Sequence, residues 1–139
     1  MLLFNNNDTK ESYIKPISRG HLLYLENRGI ISRDYYHALL IGDYGILKEN
    51  KLEINGTPFC VNCILGQSDD QIFDIIGTNS LYNLQPEKKT AFSVLYGDDY
   101  LFFKPNDEKI YYWSISLDEE ILLADTYNDF LSMIDFINT

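Results

Sequence analysis

The sequence lacks a basic excess: 21 Asp and Glu stand against 11 Lys and Arg, for a formal net charge of −10. Nucleic-acid binders need a basic footprint to displace counterions, so direct nucleic-acid binding is not expected. Long apolar runs are missing too. The opening MLLFNNND offers only Leu2, Leu3 and Phe4, too few for the core of a signal peptide, and no later run approaches the roughly 20 residues of a membrane span. A cytoplasmic chain that does not enter a membrane is therefore expected.

Cysteine and histidine are scarce, with two of each. Cys60 and Cys63 have the Cys-x-x-Cys spacing, but zinc wants two further ligands. Only His21 and His37 could supply nitrogen, and both lie upstream, outside the usual finger spacings. Within a strand FCVNCIL, period-2 alternation would also send the two sulfurs to opposite faces. Two reduced thiols are the plain reading. There is no Gly-rich phosphate loop, no GxSxG elbow and no HExxH. Asp98 and Asp99 are adjacent carboxylates at a strand start; they point apart and read as turn formers. His21 and His37 read as partly buried residues of helices. No catalytic residue, no metal and no cofactor is expected, and the protein reads as no enzyme.

Aromatic residues are abundant, with eleven Tyr, eight Phe and one Trp, in a chain that is 45% hydrophobic. That content suits one folded domain over residues 1–139, with 1–15 as a loosely held, Asn-rich start. The densest stretch is AFSVLYGDDYLFFKPNDEKIYYWSI, from Ala91 to Ile115. Thr90–Tyr96, Tyr100–Lys104 and Lys109–Ile115 read as strands, split by Gly97-Asp98-Asp99 and by Pro105-Asn106-Asp107-Glu108. This is an antiparallel meander. Tyr100 and Phe102 oppose Leu101 and Phe103 across the middle strand. Ile110 and Tyr112 oppose Tyr111, Trp113 and Ile115 on the last one. With both faces apolar, something must cover the second, whether irregular chain, a second copy in a homodimer, or a partner protein.

Helices are expected from Ser18 to about Gly29, and from the N-cap Ser32 to Gly42-Asp43-Tyr44-Gly45. Ile46–Ile54 suggests a strand pair with residues 48–51 as its tip, followed by an Asn55-Gly56 turn and a strand over Phe59–Leu65. Residues 66–70 read as a loop, 72–84 as a helix interrupted by Gly77, and 85–89 as a charged connection. Ile121–Leu123, after Asp118-Glu119-Glu120, reads as a short strand or an extended edge. Thr126 with Asp129 opens a last helix whose stripe runs Tyr127, Phe130, Leu131, Ile134, Ile137.

Ile31-Ser32-Arg33-Asp34-Tyr35, with Leu39-Leu40 and Asp43-Tyr44-Gly45, resembles the LPxDYxxFL…NGG start of the SUKH superfamily. Ile64-Leu65-Gly66 with Ser68-Asp69-Asp70 and Asp74-Ile75 is similar to its Φ-Φ-G-Φ loop and acidic follow-on. Gly97-Asp98 to Phe103 and Lys109-Ile110-Tyr111-Tyr112-Trp113 resemble its central hairpin, and Leu123-Ala124-Asp125-Thr126-Tyr127 to Phe130-Leu131 its closing helix. That group includes the Smi/Knr cell-wall regulators of yeast and many bacterial immunity proteins. The resemblance covers residues 18 to 137. It implies an α+β fold: a mixed, mainly antiparallel sheet of five or six strands with helices packed on it. It implies a binding module without a catalytic centre, in bacteria one that neutralises a cognate toxin domain, often a nuclease. The alternative it implies is a regulatory scaffold that binds an endogenous protein.

A nuclease site holds phosphate and is usually basic, so a charge of −10 suits such a partner. The family supplies no universal contact residues. The candidate partner-binding set therefore comes from the meander: Asp98, Asp99, Tyr100, Asp107, Glu108 and Trp113, with Asp118, Glu119 and Glu120 at the rim.

Overall fold

The computed structural model describes residues 2–5, 14–81, 89–97, 99–114 and 116–137. In chain order the elements are β1 (Ile14–Lys15), α1 (Arg19–Asn27), α2 (Arg33–Ile41), β2 (Gly45–Ile46), β3 (Asn50–Ile54), β4 (Thr57–Phe59), β5 (Val61–Ile64) and β6 (Gln67–Ser68). Then come α3 (Ile75–Leu81), β7 (Thr90–Leu95), β8 (Tyr100–Phe103), β9 (Ile110–Ser114), β10 (Glu119–Ala124), α4 (Tyr127–Ser132) and β11 (Asp135–Phe136). A six-stranded antiparallel sheet ordered β10-β9-β8-β7-β5-β2 forms the frame, beside a smaller β11-β3-β4 sheet and a β1-β6 pair. The α+β class and the six-strand frame agree with the expectation.

The meander folds as its sequence predicts. Each residue of β7 and β8 is buried, whereas β9 alternates buried with half-buried positions. Helices cover one face. The Tyr35 ring of α2 lies 5.4 Å from Phe92, 5.5 Å from Phe103 and 5.3 Å from Tyr127, and Phe92 meets Phe130 of α4 at 5.7 Å. These tilted and edge-on contacts add to the large area that each ring buries. The Tyr35 hydroxyl donates to the Leu65 carbonyl at 2.6 Å, so its polar end is satisfied too.

The helix signals hold at their starts. Ser18, Ser32 and Thr126 each take an extended N-cap conformation and accept a backbone N–H three residues on. Gly42 ends α2 at φ 81°, where a side chain would be strained. Gly77 does not interrupt α3. A Cβ there would come within 2.5 Å of Gln71, so the residue is small because the preceding turn packs on it.

Expectations about the path of the chain change at four further places. β2 and β3 do not pair with each other: β2 joins β5, while β3 joins β4 and β11. The expected strand over Phe59–Leu65 breaks at Cys60 into β4 and β5, which belong to different sheets. Within the expected loop, Gln67 and Ser68 pair with β1. The last helix stops at Ser132, and Asp135–Phe136 extend along β3, with Ile137 N–H donating to the Glu49 carbonyl at 3.0 Å. Apolar residues at 133, 134, 136 and 137 fit either period, and the unpaired side of β3 decides the outcome.

Residues 2–5, expected to be loosely held, lie along the β2 edge. Phe4 bridges Leu47, Asn5 N–H donates to Ile46 and Lys48 N–H to Leu3, and Leu2 is buried. Residues 6–13 lie outside the described part of the chain. No helix among the described residues is long and apolar enough to cross a membrane.

Candidate partner-binding face

Strand register aligns the candidate residues in two rows. Tyr100 stands opposite Trp113, which stands opposite Glu120; Phe102 stands opposite Tyr111, which stands opposite Leu122. Directly opposed side chains share a face and lie within reach of each other. The Tyr100 and Trp113 rings stack at 5.9 Å, and Phe102 and Tyr111 at 5.6 Å. Burial falls along each row. Tyr100 and Phe102 are fully buried, Trp113 and Tyr111 half-buried, and Glu120 and Leu122 exposed.

Two lysines lie over the half-buried rings. Lys89 Nζ is 3.6 Å from the Trp113 ring centre, and Lys104 Nζ is 4.2 Å from that of Tyr111. Lys104 also meets Glu120 at 2.5 Å. Carboxylates hold the rings from the turns. Trp113 Nε1 donates to Asp118 at 3.1 Å, the Tyr111 hydroxyl to Asp107 at 2.7 Å, and the Tyr112 hydroxyl on the opposite face to Asp99 at 2.7 Å. The bond to Asp107, and then burial, push the Tyr111 hydroxyl up to about 12. Burial, and then the bond to Asp99, push Tyr112 up to about 12 as well. In both cases a neighbouring carboxylate favours the neutral phenol.

The candidate set therefore divides. Glu108, Asp118, Glu119 and Glu120 are exposed, and Asp99, Asp107 and Trp113 half-buried. Tyr100 is fully buried: its ring backs Trp113 rather than meeting solvent. Asp98 lies outside the described residues. The sequence supplied the residues but not their internal bonds. Asp107-x-x-x-Tyr111 and Trp113-x-x-x-x-Asp118 each span a single turn, and that proximity is the signal that could have shown them.

Behind Tyr112 runs an apolar groove of about 300 Å³ between the β3–β4 hairpin and the β9–β10 pair, lined by Ile54, Phe59, Leu117, Glu119 and Ile121 among others. A second groove, of about 270 Å³, lies by Lys15, Pro16, Leu40, Ile41 and Tyr44.

His21 is more than a partly buried helix residue. Its Nε2 meets Asp74 Oδ1 at 2.8 Å and its Nδ1 meets Ser18 Oγ at 2.9 Å. Because a carboxylate only accepts, Nε2 donates to Asp74, while Nδ1 lies within hydrogen-bond distance of the Ser18 hydroxyl. The order Ser–His–Asp is that of a hydrolytic relay, but each member already holds the fold. Ser18 Oγ caps α1 by accepting His21 N–H at 3.2 Å. Asp74 accepts Ser68 N–H at 3.0 Å and Gly77 N–H at 3.1 Å. The three tie α1 to the 66–77 segment.

Among the described residues no group of three His, Cys, Asp or Glu could hold a metal ion. Cys60 and Cys63 are free thiols, and burial pushes Cys63 up to about 12, far from the reactive thiolate range. No family model matches the chain, and neither does any curated protein or solved structure.

Proposed function

We propose that this protein is the immunity member of a toxin–immunity pair, a cytoplasmic, non-catalytic module that binds a cognate toxin domain and neutralises it. The observation that supports this best is the sheet face bearing Trp113 and Tyr111. The rings of α2 and α4 cover the opposite face, while here two aromatic side chains stay half-buried between the carboxylates of two turns. Large rings flanked by rim charge are the usual anchors of a protein interface. A net charge of −10 favours a basic partner, and a nuclease domain fits that chemistry. The likeness to the SUKH superfamily gives the same reading.

The test is co-expression with the toxin domain encoded by a neighbouring gene. Protection of the cells, with a complex whose association rate falls steeply with salt while dissociation changes little, is the expected result. Trp113→Ala should weaken that complex by about 2 kcal/mol if the ring is an anchor. The absence of both protection and a complex would refute the proposal. A complex with a housekeeping protein instead would mark an endogenous regulator.

A further inference from the structure

The sheets of this fold end in several edge strands, and most are closed. The β2 edge is covered by residues 3–5, which hydrogen-bond to Ile46 and Lys48. The β4 edge contains Pro58, which has no N–H to offer a ladder. β11 is two residues long. β10 differs: it runs six residues, ends the largest sheet, and pairs through β9 alone among the described residues. An edge of this length presents a row of free backbone donors and acceptors, which is a template for another strand.

Side chains at this edge indicate what could pair there. Glu119 and Glu120 stand exposed at its head, directly after Asp118. Leu122, 52% exposed, lies on the ring-bearing face, and Ile121 points into the 300 Å³ groove beside Leu117, which is 67% exposed. A strand added to β10 would send alternate side chains beside Leu122 on one face and over the groove on the other. At the head of the strand a cationic side chain would meet Glu119 on the groove face, and one on the other face would join the pair that Glu120 makes with Lys104 at 2.5 Å. A second copy would bring its own −10 charge and its own glutamates to the same edge, which disfavours self-pairing.

We propose that the outer edge of β10 is a docking site for an extended, lysine- or arginine-bearing segment of a partner protein, which joins the sheet as a seventh strand. This rests on reading the protein as a binding module, and it names how the partner engages. Main-chain pairing gives such a contact its affinity, and alternate side chains give it specificity.

The test uses the whole protein and a peptide of about six residues, the usual strand length, with two adjacent lysines at one end and valine at the other positions. With peptide at millimolar concentration, amide exchange should slow at Glu119–Ala124 and resonances of Leu117 and Phe59 should shift. Glu119→Lys with Glu120→Lys should weaken binding at least about tenfold, roughly 1.4 kcal/mol. Glu26→Lys with Glu49→Lys, the same charge change at exposed sites elsewhere, should weaken it far less. A peptide N-methylated on one edge keeps its charge but not its donors, and should not bind. Equal binding by the methylated peptide, equal loss in both charge variants, or no change at β10 would each overturn the proposal. So would a dimer held through β10. If the peptide binds there but no toxin is neutralised, the edge site stands and the immunity reading falls. A neutralised toxin whose complex leaves β10 unperturbed gives the reverse.

Discussion

His21 and Asp74 meet at 2.8 Å although 53 positions separate them, and the side chains of both are largely buried, at 17% and 13% exposure. Asp74 is the hub, since it also accepts the Ser68 and Gly77 amides. Asp74→Ala orphans two partly buried donors besides the imidazole and should cost about 2 to 4 kcal/mol. His21→Ala removes the bonds to Asp74 and to Ser18 but leaves the Ser68 and Gly77 amides paired, and should cost less, about 1 to 2 kcal/mol. Urea unfolding of the two variants checks the order; equal losses would mean that the imidazole, not the carboxylate, organises the segment.

Asn79 acts as a stand-in for a strand. Its amide donates to the Ala91 carbonyl at 3.0 Å and accepts the Ala91 N–H at 2.9 Å, just beyond the last residue of β5 that pairs with β7. Asn50 does the same for Val61, at 2.8 and 3.0 Å. Asn79→Ala should cost about 2 to 4 kcal/mol, because both backbone groups stay buried without a partner. Asn79→Asp keeps the acceptor but sets a carboxylate against the Ala91 oxygen, so its pKa should rise above the unfolded value. Its stability should then be highest at low pH and fall as pH climbs through that raised value. A thermal melt series that is flat with pH would refute this account.

Tyr111 and Tyr112 should ionise near 12, against an ordinary value of 10.0. A raised folded-state pKa means that the stabilising contribution is complete below about pH 10 and is lost as pH rises towards 12. Ultraviolet difference titration follows the ionisation directly. In Asp107→Asn, Tyr111 should titrate closer to the ordinary value while Tyr112 stays put. An unchanged curve would show that the 2.7 Å bond to Asp107 is not what holds the phenol neutral.

The two thiols should react unequally. Cys63 is buried, with its thiol pushed up to about 12, whereas Cys60 is half-buried. A thiol reagent at neutral pH should modify Cys60 first and reach Cys63 only on unfolding. Rapid loss of both, or one zinc per chain in protein purified without added metal, would revive the Cys-x-x-Cys pair as a site.

The sequence disclosed whatever is written in local chemistry. The meander showed in its β-branched and aromatic runs, and Ser18, Ser32 and Thr126 marked helix starts because capping is decided within a few residues. Asn55-Gly56, at φ 51° and 81°, read as a turn and is one. What stayed hidden is non-local. Nothing at Asn50 or Asn79 says that an amide will complete a sheet, nothing in residues 2–5 says that they will close an edge, and nothing near Met133 chooses strand over helix. Among the candidate residues, Tyr100 looked like its neighbour Trp113 by composition. Register then set it one strand further in, where it is buried.

Complete burial of β7 and β8, with three exposed residues on the edge strand β10 beyond β9, has a consequence in time. Amides at the centre of the sheet can exchange with solvent only when the whole domain opens, whereas those of β10 need only local fraying. Protection should therefore fall off from β7 outward through β9 to β10. The strand that a partner would recruit is the one that is released most often.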